Sequence, residues 1–147
     1  MIVPEVFIPA LSVLKEGSDI NTATLAQRTI AAYLDMGNFV EHLEHLRQVY
    51  RNRRDAMIQA LQVHFPRSAR WSIPGSGMFV WVEISVEMDM GVVLKKAIEQ
   101  QRVAFVPGHA FSADRSLRAT HCMRLNFSMC DTERIQHAIA LLAQALF

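Results

Sequence analysis

The sequence predicts an α+β fold: a small mixed or antiparallel sheet backed by helices on one face. Three observations carry that expectation. The segments read helix, strands, helix, strands, helix along the chain. Apolar residues alternate between three-to-four-residue spacing and short β-branched or aromatic runs, with Gly and Pro at the changes of period. The 147 residues, 51% apolar and 20% charged, suffice for one sizeable core.

Residues 1–18 are apolar but weakly periodic, and Pro4 and Pro9 disfavour one continuous helix. From Asp19 the pattern turns helical, with Leu25, Ala26, Ile30, Ala31 and Leu34 on one stripe and Gly37 as the stop. Asn38, followed by Glu41 three residues on, predicts an N-cap for a helix running to about residue 64. Leu43, Leu46, Tyr50, Met57 and Leu61 form its apolar stripe. Pro66 ends it. Short strands are expected at Trp71–Ile73 and, longer, at Gly77–Ile84. A helix over 89–101 is expected to turn Val92, Val93, Leu94, Ala97 and Ile98 inward. Val103–Val106 reads as a strand cut off by Pro107-Gly108, and residues 109–121 as an irregular loop long enough to close over a site. Cys122–Ser128 is the next strand. Asp131 and Glu133 favour a last helix whose Ile135, Ile139, Leu142 and Leu146 share one face.

Bulk properties exclude more than they assign. A net charge of +1 gives no field that points to nucleic acid or anionic lipid. No apolar run approaches the roughly 18 to 20 residues that span a bilayer. The opening Met1-Ile2-Val3-Pro4-Glu5 lacks the basic start of a signal peptide, so a cytoplasmic protein is expected. Cys122 and Cys130 lack metal-type spacing and read as free thiols in a reducing compartment. His42 and His45 lie one helical turn apart without a third ligand, so no metal site is expected. Arg47, Arg51, Arg53 and Arg54, interleaved with Glu44 and Asp55, read as a solvated helix face. His109 and Ser112 read as surface loop residues.

Arg124 is the exception. It stands inside the apolar strand Met123-Arg124-Leu125-Asn126-Phe127. Strand alternation turns it away from Leu125 and Phe127. Burying a guanidinium without an anion costs several kcal/mol, so Arg124 either has an internal partner, such as Glu83 or Asp131, or awaits a carboxylate from a ligand. Gly75-Ser76-Gly77 is not a phosphate-binding fingerprint, because Val80 occupies the third glycine's place and a strand follows; it reads as a tight turn.

Three segments in fixed order then acquire a joint meaning: Pro74-Gly75-Ser76-Gly77-Met78-Phe79-Val80-Trp81, Val103 through Phe111, and Met123-Arg124-Leu125-Asn126-Phe127-Ser128. With Thr24-Leu25-Ala26-Gln27, Gly37, His42, Arg47 and Tyr50-Arg51-Asn52-Arg53-Arg54-Asp55, they resemble the C-terminal small domain of the class I/II fold-type-I aminotransferases, of the 2-aminoadipate/aromatic type. Ser76 departs from that pattern, which carries glycine there. The resemblance implies residues 1–36 as a connecting segment and helix, and 37–147 as the small domain. It implies that Arg124 binds the substrate α-carboxylate and that Met78 is a weaker candidate for lining the side-chain pocket. It further implies amino transfer between an amino acid and a 2-oxo acid, pyridoxal phosphate as cofactor, and a homodimer. The cofactor's lysine and its aspartate partner belong to the large domain of such enzymes; Lys15, Lys95 and Lys96 fall in the wrong places to replace that lysine. No catalytic or cofactor-binding residue is therefore assigned, and the chain by itself is expected to be inactive and to bind no cofactor. Regulators that fuse a winged helix to such a domain are similar too, and supply the alternative of an effector domain. They usually carry Gly-Leu-His where this chain has Gly77-Met78-Phe79, which favours the enzyme branch. A face made by residues 1–20 is expected to expose apolar surface, and that segment to be mobile or to pair with another copy.

Overall fold

The computed structural model describes residues 2–85, 88–112 and 119–147, which form two compact units, Met1–His45 and Leu46–Phe147. In the first unit a 3-10 turn, Glu5–Phe7, leads into α1, Ile8–Ser18, and α2 spans Thr24–Asp35. No single helix covers residues 1–18, in line with the sequence, and Pro9 is accommodated inside α1. It sits in the first turn, where its missing N–H has no intrahelical acceptor to lose. Lys15 bridges Asp19 at 2.8 Å, and Thr22 Oγ1 donates to the same carboxylate. Those contacts, the two hydrogen bonds first, hold the Asp19 carboxyl below its ordinary range. Ile2, Val6, Phe7, Val13, Leu14 and Ile20 are exposed, as expected of this segment.

The long helix α3, Phe39–His64, starts one residue after Asn38 and ends before Pro66. In the second unit its buried residues are Ala56, Met57, Ile58, Ala60 and Leu61; Tyr50 is half-buried. Four strands follow, β1 at Arg70–Trp71, β2 at Phe79–Glu83, β3 at Val106–Pro107 and β4 at Cys122–Asn126. They form an antiparallel sheet in the order β1-β2-β4-β3. The register sets Val80 opposite Leu125 and Val82 opposite Met123. All four side chains are buried and join Leu61, Ile84, Phe127 and the inner faces of the helices in one core. Helices thus back the sheet on one face, as predicted.

Between β2 and β3 lies α4, Met90–Lys96, continued by a π-helical turn, Ala97–Gln101. Asp89 caps α4 by accepting from the Gly91 N–H at 2.7 Å. The inward stripe is Met90, Val93 and Ala97, with Leu94 partly buried; Val92 and Ile98 are 68% and 48% exposed. The sequence expectation fails for those two, because the run offers more apolar residues than one face can hold. Arg102 closes the segment in the left-handed region at φ 56°, and its own N–H reaches back to the Ile98 carbonyl at 3.1 Å. This is the simple left-handed helix ending, with arginine where glycine is usual. The last helix, α5 at Thr132–Leu146, buries Ile135, Ile139, Leu142 and Leu146 as expected. Asp131 caps it, accepting from the Arg134 N–H at 2.8 Å.

Residues 113–118, inside the loop expected to close over a site, lie outside the described residues. Gly108 opens a 3-10 turn, Gly108–Phe111, pressed against β4: a Cβ there would come within 2.5 Å of the Ala119 carbonyl oxygen and 2.7 Å of Cys122 Cβ. Gly75 would meet nothing within 4 Å. Gly108→Ala is therefore expected to cost about 1–3 kcal/mol in urea unfolding, whereas Gly75→Ala shifts stability by no more than about 0.5 kcal/mol.

Candidate functional site

β4 lies between β2 and β3, and its residues alternate between core and opposite face. Met123 and Leu125 go to the helices, so Arg124 must go the other way. Trp81 of β2 and Val106 of β3 are its neighbours in register. Two aromatic rings take up the guanidinium. Its carbon lies 4.0 Å from the Phe79 ring centroid and 4.3 Å from that of Phe111. The Phe111 ring meets Trp81 nearly edge-on, with centroids 5.8 Å apart. Cation–π contact occupies the flat surface of a guanidinium and leaves its N–H donors, which lie in the plane, available for an anion.

Neither internal carboxylate suggested by the sequence takes those donors. Glu83 faces His121 at 3.5 Å, and Asp131 caps α5. Arg124 Nε is buried and has no hydrogen-bond partner among the described residues. Such a group is costly to leave alone, by about 1–3 kcal/mol or more when charged. Asn126, two residues on, is engaged through Oδ1, which accepts from the Ser128 N–H at 2.6 Å.

Met78 is partly exposed, and its carbonyl accepts from the Phe127 N–H at 3.1 Å. Ser76 does not need positive φ; Gly77 takes it, at +82°. His109 is exposed, while Ser112 is half-buried and engaged. No group of three metal-ligating side chains occurs among the described residues. His42 Nδ1 instead meets the Tyr33 hydroxyl. The arginines of α3 are not all a solvated face. Arg53 donates to the Ser128 carbonyl, and Arg54 donates to the Pro74 carbonyl at 3.1 Å and pairs with Asp55 at 2.7 Å. Both therefore tie α3 to the ends of segments that build the site. Sequence reasoning also missed the roles of Phe79 and Phe111. The available signal was Phe79 and Trp81 at alternate positions of one strand, which puts two aromatics on the arginine's face.

The family model for class I and II aminotransferases matches residues 9–142. The chain belongs to that family. It is 36% identical over 140 residues to aromatic-amino-acid aminotransferase 1 of Thermococcus litoralis, covering 95% of this chain and 33% of the relative. The crystal structure of an α-aminoadipate aminotransferase from Thermus thermophilus superposes with a TM-score of 0.86 at 32% identity, over 99% of this chain and 36% of that one. An HTH-type transcriptional regulator of Bacillus subtilis, YdfD, is 29% identical over 136 residues, 92% of this chain and 27% of the regulator. The chain thus spans about a third of the length of the relatives it matches, the extent of a small domain.

Family membership implies pyridoxal phosphate, and the residues at hand do not make a place for it. Lys15 is held by Asp19, and Lys95 and Lys96 are exposed on α4, a helix that packs on the sheet face opposite Arg124. Among the described residues of the second unit, no lysine stands beside Arg124.

The thiols differ in setting. Cys122 is buried and Cys130 half-buried, both free. Burial pushes the Cys122 thiol above its ordinary range, and the nearby Glu83 adds to this. The unfolded chain therefore loses this proton first. The contribution is neutral below the unfolded value near 9.0 and turns against the fold as pH rises through it. Iodoacetamide at a pH of about 8 is expected to label Cys130 well before Cys122, as read by peptide mass mapping. The urea midpoint of the wild-type chain should fall more steeply above a pH of about 9 than that of Cys122→Ala.

Proposed function

We propose that this chain is the C-terminal small-domain part of a pyridoxal-phosphate aminotransferase and that Arg124 receives the α-carboxylate of its amino-acid and 2-oxo-acid substrates. One observation carries the reading. A guanidinium on the central region of the sheet is steadied by two rings and has no carboxylate partner among the described residues. A planar fork of that kind binds a carboxylate through two parallel hydrogen bonds, which fix orientation as well as affinity. Met78, on the same segment as Phe79, contributes to the pocket for the substrate side chain. Residues 1–36 serve as the connecting segment and 37–147 as the small domain. The lysine and cofactor come from the remainder of a longer enzyme, which works as a homodimer in the cytoplasm. No described helix is long and apolar enough to cross a membrane.

A second reading, the effector domain of a winged-helix regulator, is favoured by the likeness to the Bacillus regulator. It uses the same arginine to sense an amino acid without turning it over. Gly77-Met78-Phe79 speaks for the enzyme, because Phe79 supplies one of the rings on Arg124.

A chimera decides between them. Replacing the matching third of the Thermococcus litoralis aromatic aminotransferase with this chain should yield an enzyme that transfers amino groups. Arg124→Ala in the chimera should lower kcat/KM by about 10²–10³, the loss expected when one partner of a buried ion pair is removed. A folded chimera that binds pyridoxal phosphate but transfers nothing would favour the sensor. An active chimera indifferent to Arg124→Ala would overturn the assignment of the residue.

A further inference from the structure

The helical side of the sheet carries a second concavity that the carboxylate receptor does not use. A cavity of about 390 Å³ lies between α3 and the turn at Pro74–Gly77, and Phe127 lines it too. Phe127 is two residues beyond Leu125 and belongs to the core, so this cavity and Arg124 serve opposite faces of the sheet.

Its lining is chemically one-sided. Arg47, Arg51 and Arg54 all contribute, and among the described residues no carboxylate lines it, Asp55 meeting Arg54 from outside the lining. Arg54 is held in place by the Pro74 carbonyl and by Asp55, so its guanidinium is positioned before any ligand arrives. Arg51 is exposed and has no ion pair or hydrogen bond of its side chain among the described residues. The Ser76 hydroxyl and the N–H groups of Gly75, Ser76 and Gly77 likewise make no hydrogen bond among the described residues. Arginines of α3 on one side and the Gly75-Ser76-Gly77 turn on the other line a single volume. Donors spread over two walls suit a tetrahedral oxyanion better than a flat carboxylate. The volume exceeds what a bare phosphate fills, and Tyr50 and Pro74 supply apolar wall beside the donors. An ordinary solvated arginine face would be convex, with its charges spread outward. Here three arginines line one hollow.

We propose that this cavity is a binding site for a small organic phosphate monoester, distinct from the substrate carboxylate site. The phosphate sits between Arg51, Arg54 and the 75–77 turn, and the organic body lies against Tyr50 and Pro74. Ser76 brings a hydroxyl group to that turn.

Isothermal titration of the folded 147-residue chain with phenyl phosphate, inorganic phosphate and benzoate tests this. Saturable binding is expected in the order phenyl phosphate, phosphate, benzoate, weakening as salt is raised. Arg51→Ala, at an exposed position, should weaken phenyl phosphate by about tenfold or more, and Ser76→Gly by a few-fold. Arg124→Ala should leave that affinity unchanged. Absence of saturable binding by either phosphate would overturn the proposal. So would an affinity that survives Arg51→Ala, or one abolished by Arg124→Ala in a variant shown by circular dichroism to be folded.

Discussion

The pairing of β2 with β4 is the constraint on which the rest of the second unit depends. Val80 against Leu125 and Val82 against Met123 bury four side chains on the helical face. Each contributes about 1.5–3 kcal/mol on leaving water. A slip of one residue would expose them and drive Arg124, Phe79 and Trp81 into the core. The penalty for that slip is therefore hydrophobic on one side of the sheet and electrostatic on the other. The orientation of the arginine needs no device of its own; the apolar residues on either side of it in the strand already fix it.

What surrounds the arginine is a compromise between holding a charge and leaving it usable. A carboxylate from within the chain would stabilise Arg124 but consume its donors. Phe79 and Phe111 stabilise the cation, at roughly 0.5–2 kcal/mol each, without taking its N–H donors into an ion pair. Phe111 reaches the site only because the chain at Gly108 runs against β4 at a distance no side chain would tolerate. The turn thus helps to place Phe111 beside Arg124.

Much of this is legible in the sequence where one physical signal dominates. The stripe of α5, its Asp131 cap, the end of α3 before Pro66 and the outward direction of Arg124 follow from period and capping alone. Errors arise where two signals compete. Val92 and Ile98 point the wrong way in the sequence reading because hydrophobicity alone cannot choose among adjacent apolar residues once a face is full. The apolar run after α4 places a strand at Val103–Val106, whereas pairing falls on Val106 and Pro107, next to the edge-forming turn that a proline tolerates. The roles of Arg53 and Arg54 are illegible for a different reason: their acceptors are backbone carbonyls of Ser128 and Pro74, and a carbonyl leaves no mark in a sequence.

The π-helical turn at Ala97–Gln101 carries a consequence for how this chain can change length. Its wider winding accommodates a residue that ordinary α-helical pitch would not need. Ala97 stays buried on the core side of the turn, and Arg102 resets the backbone direction beyond it. Removal of one exposed residue from Ile98–Gln101 would tighten the winding while both anchors keep their places. Insertions and deletions among relatives should therefore accumulate at this loosened turn, sparing the register of β3 on β4. The turn would act as an expansion joint, set apart from the strand that carries Arg124.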